Sequence, residues 1–382
     1  MISTERIVRA RALTPSDKLL RLVAMQRPNA SALLKNGALP NQPPVSVRYS
    51  KPLNIREHKR EWLNLEYLRK LHDGHRKFCE FVKHHPQRRR VERCYVCGST
   101  ARRPFGMTYG IPYVECTTCT HVFAEVVLSP EDLAQWYRDK YATSFQSVDT
   151  DRTRVESRMR ALFEPKLRYV ADFIRTPRRR WLDVGAGNGG VVACARAMGF
   201  EARGLELGKE VIEFARQVFG LELIDRSIYQ ELSTTGPESY DIISFLMVLE
   251  HIPDPADQVA CASRLLSPGG LLVVEVPLAS SVSAMTDITF PDQPLRQLRG
   301  VHIMNYTVQS LRHLVEHNEL EVAGLWFFGQ DIFNLVLHLA LQNPGFLDSK
   351  LCRFFLDHND ALQAIVDRSE LSDEVILVAR KP

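Results

Sequence analysis

An α/β fold built on a parallel sheet is what the second half of this sequence predicts, and three observations predict it. Short apolar runs alternate with helix-period segments from about residue 155 onward, the rhythm of strands joined by helical crossovers. The apolar run 180–184 leads straight into Gly185-Ala186-Gly187-Asn188-Gly189-Gly190, a loop in which the missing Cβ atoms let backbone approach a ligand. The next apolar run ends on an acid, Glu206, 23 residues beyond Asp183, where a carboxylate can accept both hydroxyls of an adenosine ribose.

Hydrophobic periodicity assigns the elements in order. The spacing predicts a helix over 155–174, a strand at 180–184, a helix over 189–199 and a strand at 202–206. A helix over 210–219, strands at 221–225 and 241–247, a helix over 256–266 and a strand at 271–276 follow. The tail adds a helix over 307–318, a strand at 320–328, two strongly apolar helices near 331–342 and 346–366, and a closing strand at 374–380. Helices apolar all round are not left bare, so these two are expected to cover a substrate pocket or to form a subunit interface.

The first third reads differently. Pro28, Pro40, Pro43, Pro44 and Pro52 break any long helix. Trp62, Leu65, Leu68, Leu71, Phe78, Phe81 and Val82 then recur at helical spacing up to about residue 84, with Gly74 weakening the middle. The run Gln87-Arg88-Arg89-Arg90 reads as a solvated linker, and 128–141 as a helical connector opening on Ser129-Pro130. The expected units are a basic, partly helical arm at 1–91, a cysteine module at 92–127, a connector at 128–154 and the α/β domain at 155–382, with a helical insertion at about 331–366.

The formal net charge of +4 conceals an asymmetry: residues 1–93 hold 21 Lys and Arg against 8 Asp and Glu, the remainder 28 against 37. A basic arm on an acidic body fits a phosphate-bearing substrate, nucleic acid or a membrane surface, or docking on the acidic domain itself. No apolar run approaches the ~20 residues of a bilayer span, and no secretory h-region is visible. The expectation is a cytoplasmic protein whose eight cysteines stay reduced.

Four of those cysteines have metal spacing. Cys94-Tyr95-Val96-Cys97 and Cys116-Thr117-Thr118-Cys119 are two C-x2-C pairs 18 residues apart, and each pair can turn two thiolates onto one tetrahedral centre. Gly98 follows the first pair and Thr120 the second. Structural zinc is the expectation, since four thiolates leave no open position for catalysis. An iron–sulfur cluster or unrelated core cysteines are the alternatives. Cys79, Cys194, Cys261 and Cys352 lack paired spacing and read as packing residues.

The glycine loop by itself fits two cofactors. Gly185, Gly187 and Gly190 satisfy G-x-G-x-x-G, whereas Asp183, Gly185, Gly187 and Gly189 fit D-x-G-x-G-x-G. Asp183 would sit poorly beside a pyrophosphate and better near an ammonium. The surrounding residues carry a resemblance. Leu182 to Gly189 resembles the first motif of class I S-adenosylmethionine (SAM)-dependent methyltransferases, and Glu206 matches their ribose-binding acid. Tyr240 to Ile252 resembles their fourth-strand motif, and Leu265-Leu266-Ser267-Pro268-Gly269-Gly270 the turn before their fifth strand.

The resemblance implies a Rossmann-like sheet of seven strands in the order 3-2-1-4-5-7-6, the last antiparallel. It implies a SAM pocket formed by Asp183, Gly185, Ala186, Gly187, Gly189, Glu206 and Leu207, by Phe245, Leu246 and Met247, and at the adenine end by Ser227 and Ile228. A four-cysteine zinc domain before such a fold also looks like bacterial methyltransferases of sugar and polysaccharide pathways. That implies a sugar, nucleotide-sugar or glycan acceptor. The basic arm lies outside this pattern and leaves a nucleic-acid methyltransferase as an alternative.

A hydroxyl acceptor must lose a proton to a group within reach. His251, beside Glu250 at the end of the fourth strand, is the first candidate base; His302, with Tyr306 four residues on, is the second. The 301–307 stretch resembles the segment carrying a catalytic Glu-His pair in sugar C-methyltransferases, but this chain has Val301 before His302. O-methylation is therefore expected over C-methylation. Glu250, Arg296 and Arg299 are expected on the acceptor, the arginines as a clamp for phosphate or carboxylate.

Overall fold

The computed structural model describes residues 45–49, 64–140, 151–175 and 179–382. Most of the basic arm, the start of the predicted 55–84 helix and the end of the connector lie outside them.

Thirteen strands are defined among the described residues. They are β1 (Ser46–Tyr49), β2 (Arg89–Arg90), β3 (Arg102–Thr108), β4 (Ile111–Cys116), β5 (Val122–Ala124), β6 (Val126–Val127) and β7 (Arg180–Val184). Then come β8 (Glu201–Leu205), β9 (Tyr240–Leu246), β10 (Leu266–Pro277), β11 (Met304–Asn305), β12 (Glu321–Phe328) and β13 (Glu374–Arg380). The main sheet runs β1-β12-β13-β10-β9-β7-β8. The pairs β7/β8, β7/β9 and β9/β10 are parallel, and β13 runs antiparallel between β10 and β12.

The expected order is reproduced except at its two edges. The predicted strand 221–225 is reduced to a single bridge, Leu205 to Ile224. The opposite edge gains β1, which pairs in parallel with β12 from Ser46 opposite Gly324 to Tyr49 opposite Phe327. A stretch whose prolines argued against any long helix thus completes the sheet. Arg48 lies over the Trp326 ring at 4.3 Å, a cation–π contact that ties the added strand down.

Strand alternation divides the core into two layers. Trp181, Ile242, Val273, Trp326, Ile376 and Val378 face one side, under helices Glu164–Ala171 and Gly190–Ala197. Leu182, Ile243, Leu272, Val274, Leu325 and Leu377 face the other, under helices Pro255–Leu265 and Val308–Glu316. The second layer continues without a break into the cysteine module, taking in Phe105, Ile111, Tyr113, Val122 and Phe123. Shared core makes module and sheet one packed body.

The predicted 155–174 helix is observed as Arg152–Arg158, a π-turn at Met159–Phe163, and Glu164–Ala171. Gly74 does not interrupt the helix Leu65–His84, whose buried face carries Leu68, Leu71, Phe78 and Cys79. The apolar insertion is helix Asp331–Gln342, a 3-10 turn at Pro344–Asp348, and helices Lys350–Asp357 and Asn359–Arg368.

Packing at β12 leaves no room for a side chain at Gly324. A Cβ there would come within 2.3 Å of the Phe173 ring and 2.7 Å of the Tyr169 hydroxyl. Gly324→Val is expected to cost about 1–3 kcal/mol through overpacking, read as a lower urea midpoint at unchanged slope.

Candidate functional site

The glycine loop takes its shape from the neighbouring strand. The amides of Gly185 and Ala186 both donate to the Leu205 carbonyl, each at 2.9 Å. Gly185 has φ +71°, and a Cβ there would lie 2.7 Å from Val248 Cγ2. Glycine is therefore required twice over, by conformation and by contact. Gly187, at φ +53°, has nothing within 4 Å of where its Cβ would be, so the loop's crest opens onto space. Gly189, at φ +78°, begins the helix Gly190–Ala197.

Glu206 organises this crest from one strand away. Its Oε2 accepts from the Gly187 amide at 2.8 Å, and its Oε1 from the amides of Leu207 and Gly208, both at 2.8 Å. The carboxylate is 8% exposed, and burial raises its pKa against those three amides. Asp183 lies below the loop rather than in it. It accepts from Ser244 Oγ at 2.6 Å, Ser244 in turn accepts from the Trp181 indole at 2.8 Å, and burial pushes the carboxyl up to about 7.

The end of β9 supplies the second wall. Phe245 is buried in the core, Leu246 is half-buried, and Met247 adopts φ +59° with its amide on the Glu275 carbonyl at 2.9 Å. A left-handed methionine is a strained residue held by its surroundings. It swings the chain into the 3-10 turn Leu249–His251, and Val248 within that swing is the residue that touches Gly185.

Glu250 is fully buried, and neither carboxylate oxygen has a hydrogen-bond partner among the described residues. Burial pushes its pKa up to about 8. His251 Nδ1 donates to the Val301 carbonyl at 2.9 Å, which makes Nε2 the basic nitrogen, and Nε2 lies 3.8 Å from Glu250 Oε1. Burial holds this imidazole down at about 4, hence neutral at pH 7.

His302 meets His251 edge to face at 4.9 Å. Its Nδ1 donates to the Gln297 carbonyl at 3.1 Å, and its Nε2 accepts from Arg299 Nη2 at 2.5 Å. Both histidines thus carry the same tautomer, but the basic nitrogen of His302 is already engaged by a cation. Burial and Arg299 hold it well below the ordinary histidine range.

Other predicted site residues have structural occupations. Tyr306 is fully buried and donates to the Leu249 carbonyl at 3.2 Å, so it props the turn that carries Glu250 and His251. Arg296 pairs with Asp373 at 3.2 Å and with Glu374, which removes it from the expected acceptor clamp and leaves Arg299. Ser227 caps the helix Ile228–Thr235 in a reciprocal box with Gln230, and Ile228 is buried in the core. Leu207 is 40% exposed beside the loop.

The four predicted cysteines converge. Sγ atoms of Cys94 and Cys119, and of Cys97 and Cys116, are 3.5 Å apart, and all four lie within 4.8 Å of one another. Four thiolates at Zn–S distances of about 2.3 Å in a tetrahedron stand roughly 3.8 Å apart, so the cluster fits such an ion. The two knuckles are equivalent. Gly98 donates to the Cys94 carbonyl at φ +70°, and Thr120 donates to the Cys116 carbonyl at φ +66°. A threonine thus takes the conformation that glycine takes in the other knuckle. Glu250, His251 and His302 also place donor atoms within 4.8 Å of one another. The Arg299 guanidinium on His302 Nε2 sets a positive charge there and opposes a second ion.

The methyltransferase-domain family pattern matches residues 155–324. A ubiquinone biosynthesis O-methyltransferase of Xylella fastidiosa is 31% identical over 199 residues, 49% of this chain and 80% of that protein. The chain belongs to the SAM-dependent methyltransferase family. The namesake enzyme of Methylococcus capsulatus is 26% identical over 182 residues, 46% of this methyltransferase and 77% of its relative. For that of Vibrio cholerae the shared region is 28% identical and spans 63% of the relative, under two thirds of its length. A SAM-dependent methyltransferase of Archaeoglobus fulgidus superposes at a TM-score of 0.41 with 16% identity, covering 59% of this chain and 97% of its own. Family membership decides between the two cofactors that the glycine loop fits: the methyltransferase uses SAM.

The orphaned carboxylate of Glu250 has a measurable consequence. Its folded-state pKa lies above that of the unfolded chain, so its contribution to stability falls as pH rises from about 4 to about 8 and then levels off. Glu250→Gln lacks that dependence. Its urea midpoint should exceed the wild-type value by more at about pH 9 than at about pH 5; an equal difference at both would show that Glu250 is not a proton-bearing buried acid.

Proposed function

We propose that this methyltransferase is an O-methyltransferase, acting on a hydroxyl with His251 as general base, and that its cysteine module holds structural zinc. One observation carries the reading. Val248 packs on Gly185 in the cofactor loop, and His251, three residues on, turns its basic nitrogen beside a buried, unpartnered carboxylate. The candidate base is thereby fixed relative to the loop that holds the donor.

SAM, when bound, supplies a methyl group on a positively charged sulfur. The chain supplies alignment and a place for the proton. His251 Nε2 takes the acceptor's hydroxyl proton, since Nδ1 is committed to Val301. Glu250, which holds its proton in the resting site, lies 3.8 Å from the resulting imidazolium, whose positive charge favours ionisation of that carboxyl. Arg299, bonded to His302 Nε2, favours an acceptor with an anionic or strongly polar substituent. His302, engaged by Arg299, orients that guanidinium rather than competing for the proton.

For the acceptor, the four-cysteine module ahead of the catalytic domain supports a sugar, nucleotide-sugar or glycan hydroxyl. The named relatives favour a second reading, a hydroxyl acceptor of the kind handled in ubiquinone biosynthesis. Extracts of cells with and without the protein, compared by mass spectrometry, distinguish them. A gain of about 14 daltons (one CH2) on a glycan or nucleotide-sugar supports the first reading, and the same gain on a quinone precursor supports the second.

Calorimetry tests the cofactor site. Glu206→Ala leaves the Gly187 amide without its carboxylate and is expected to weaken SAM at least roughly tenfold. Gly187→Arg fills the open crest and is expected to abolish binding. His251→Gln should bind SAM like wild type while losing about 100-fold or more in turnover. Wild-type SAM affinity in both of the first two variants would refute the site.

A further inference from the structure

Between the helix Val282–Thr289 and the helix Val308–Glu316 the chain has almost no regular structure of its own, yet it carries Arg299 and His302. Its backbone groups find partners outside the segment. Asp287 accepts from the amides of Leu295, Gln297 and Leu298 at 2.8, 2.7 and 3.0 Å. From there on the cysteine module takes over.

Thr108 donates to the Leu298 carbonyl. The buried Tyr113 hydroxyl accepts from the Gly300 amide at 3.0 Å and donates to the His302 carbonyl at 3.1 Å. The Ala124 amide donates to the Ile303 carbonyl at 2.9 Å. Residues 304 and 305 then form β11 by pairing with β5, Met304 opposite Phe123 and Asn305 opposite Val122. Immediately beyond, Thr307 bonds Thr120 at 2.5 Å, and the Tyr306 ring packs on His121 at 4.8 Å. Thr120 and His121 are the two residues that follow Cys119.

A buried polar backbone must be paired, and here the backbone of residues 298, 300 and 302–305 pairs with the module. Gly300 shows how tight the seat is. It has φ +78°, and a Cβ would lie 2.2 Å from Cys79 Sγ on the helix Leu65–His84. The backbone of the cofactor loop is held from within the catalytic sheet: among the described residues Leu205 and Glu206 accept from its amides, and Val248 closes on Gly185.

We infer that the cysteine module is a wall of the acceptor site and that Tyr113 is a positioning residue, which fixes the backbone on either side of Val301 and thereby sets Arg299 and His302 against His251. The Val301 carbonyl that orients His251 lies between the two residues Tyr113 grips, so His251's tautomer depends on the same hydroxyl. Acceptor-site order is thus linked to the four-cysteine knuckles, while SAM binding is not. The inference rests on the proposed site and, for its metal arm only, on the zinc reading.

Hydrogen–deuterium exchange on the full chain tests it, with SAM titration calorimetry alongside. In Tyr113→Phe the ring still fills its pocket, but the two backbone groups lose their partner. Amides of 298–306 should exchange roughly tenfold faster or more, with exchange at 182–190 unchanged and SAM affinity within about twofold of wild type. Stripping metal with a chelator should give the same pattern together with faster exchange over 94–119. Thr108→Val, which removes one contact at the segment's start, should give a smaller version of the Tyr113→Phe pattern. Unchanged exchange at 298–306 in Tyr113→Phe would overturn the positioning role. Equal acceleration at 182–190 and 298–306 would overturn the separation of the two half-sites. A chain that purifies without zinc refutes the metal reading and leaves the tyrosine arm to decide the coupling.

Discussion

Glu206 sits at the end of one strand and spends its carboxylate on three amides, two just beyond it and one in the loop of the neighbouring strand. Much of the catalytic half follows from that arrangement. The Gly187 amide can reach the acid only if the loop folds back over Leu205, which requires the left-handed backbone at Gly185, Gly187 and Gly189. A side chain at Gly185 would collide with Val248, so the same loop geometry fixes the turn that follows β9. Cofactor cradle and the turn after β9 are one constraint expressed on two strands.

Burial then sets the chemistry. Glu250, His251 and His302 are crowded into a space where charged forms are penalised, which raises the carboxyl and lowers the imidazoles. In the resting site the histidines are neutral, and the acid holds its proton through pH 7. Such a cluster costs stability. Arg299 donates to His302 Nε2 and adds a positive charge that further disfavours its protonation.

The central strands were legible because apolar period and glycine placement both report local backbone. Glu206 and the four cysteines were legible because spacing along the chain carries their geometry. The edges of the sheet were not. Ser46–Tyr49 becomes a strand only because β12 offers an open edge, and 221–225 fails to become one although its pattern is equally apolar. Arg296 looked like Arg299 in the sequence; the acids that claim it, Asp373 and Glu374, lie more than 75 positions away. Thr120 reads as an ordinary substitution for glycine, and only its φ shows that it performs the glycine's task. Nothing in the spacing of the cysteines announced that their hairpin would take hold of residues 298–307.

β1 reaches the sheet from the far side of the chain, ahead of the cysteine module, and lies along the outer flank of β12 with Arg48 stacked over Trp326. A fragment starting at residue 155 would contain every family motif and yet present β12 as a bare, aromatic-rich border with its hydrogen-bonding groups unsatisfied. Such borders recruit copies of themselves. The catalytic domain drawn from sequence conventions is therefore not a detachable part: the border of its sheet is closed by a four-residue ribbon that comes more than a hundred positions before the first cofactor motif.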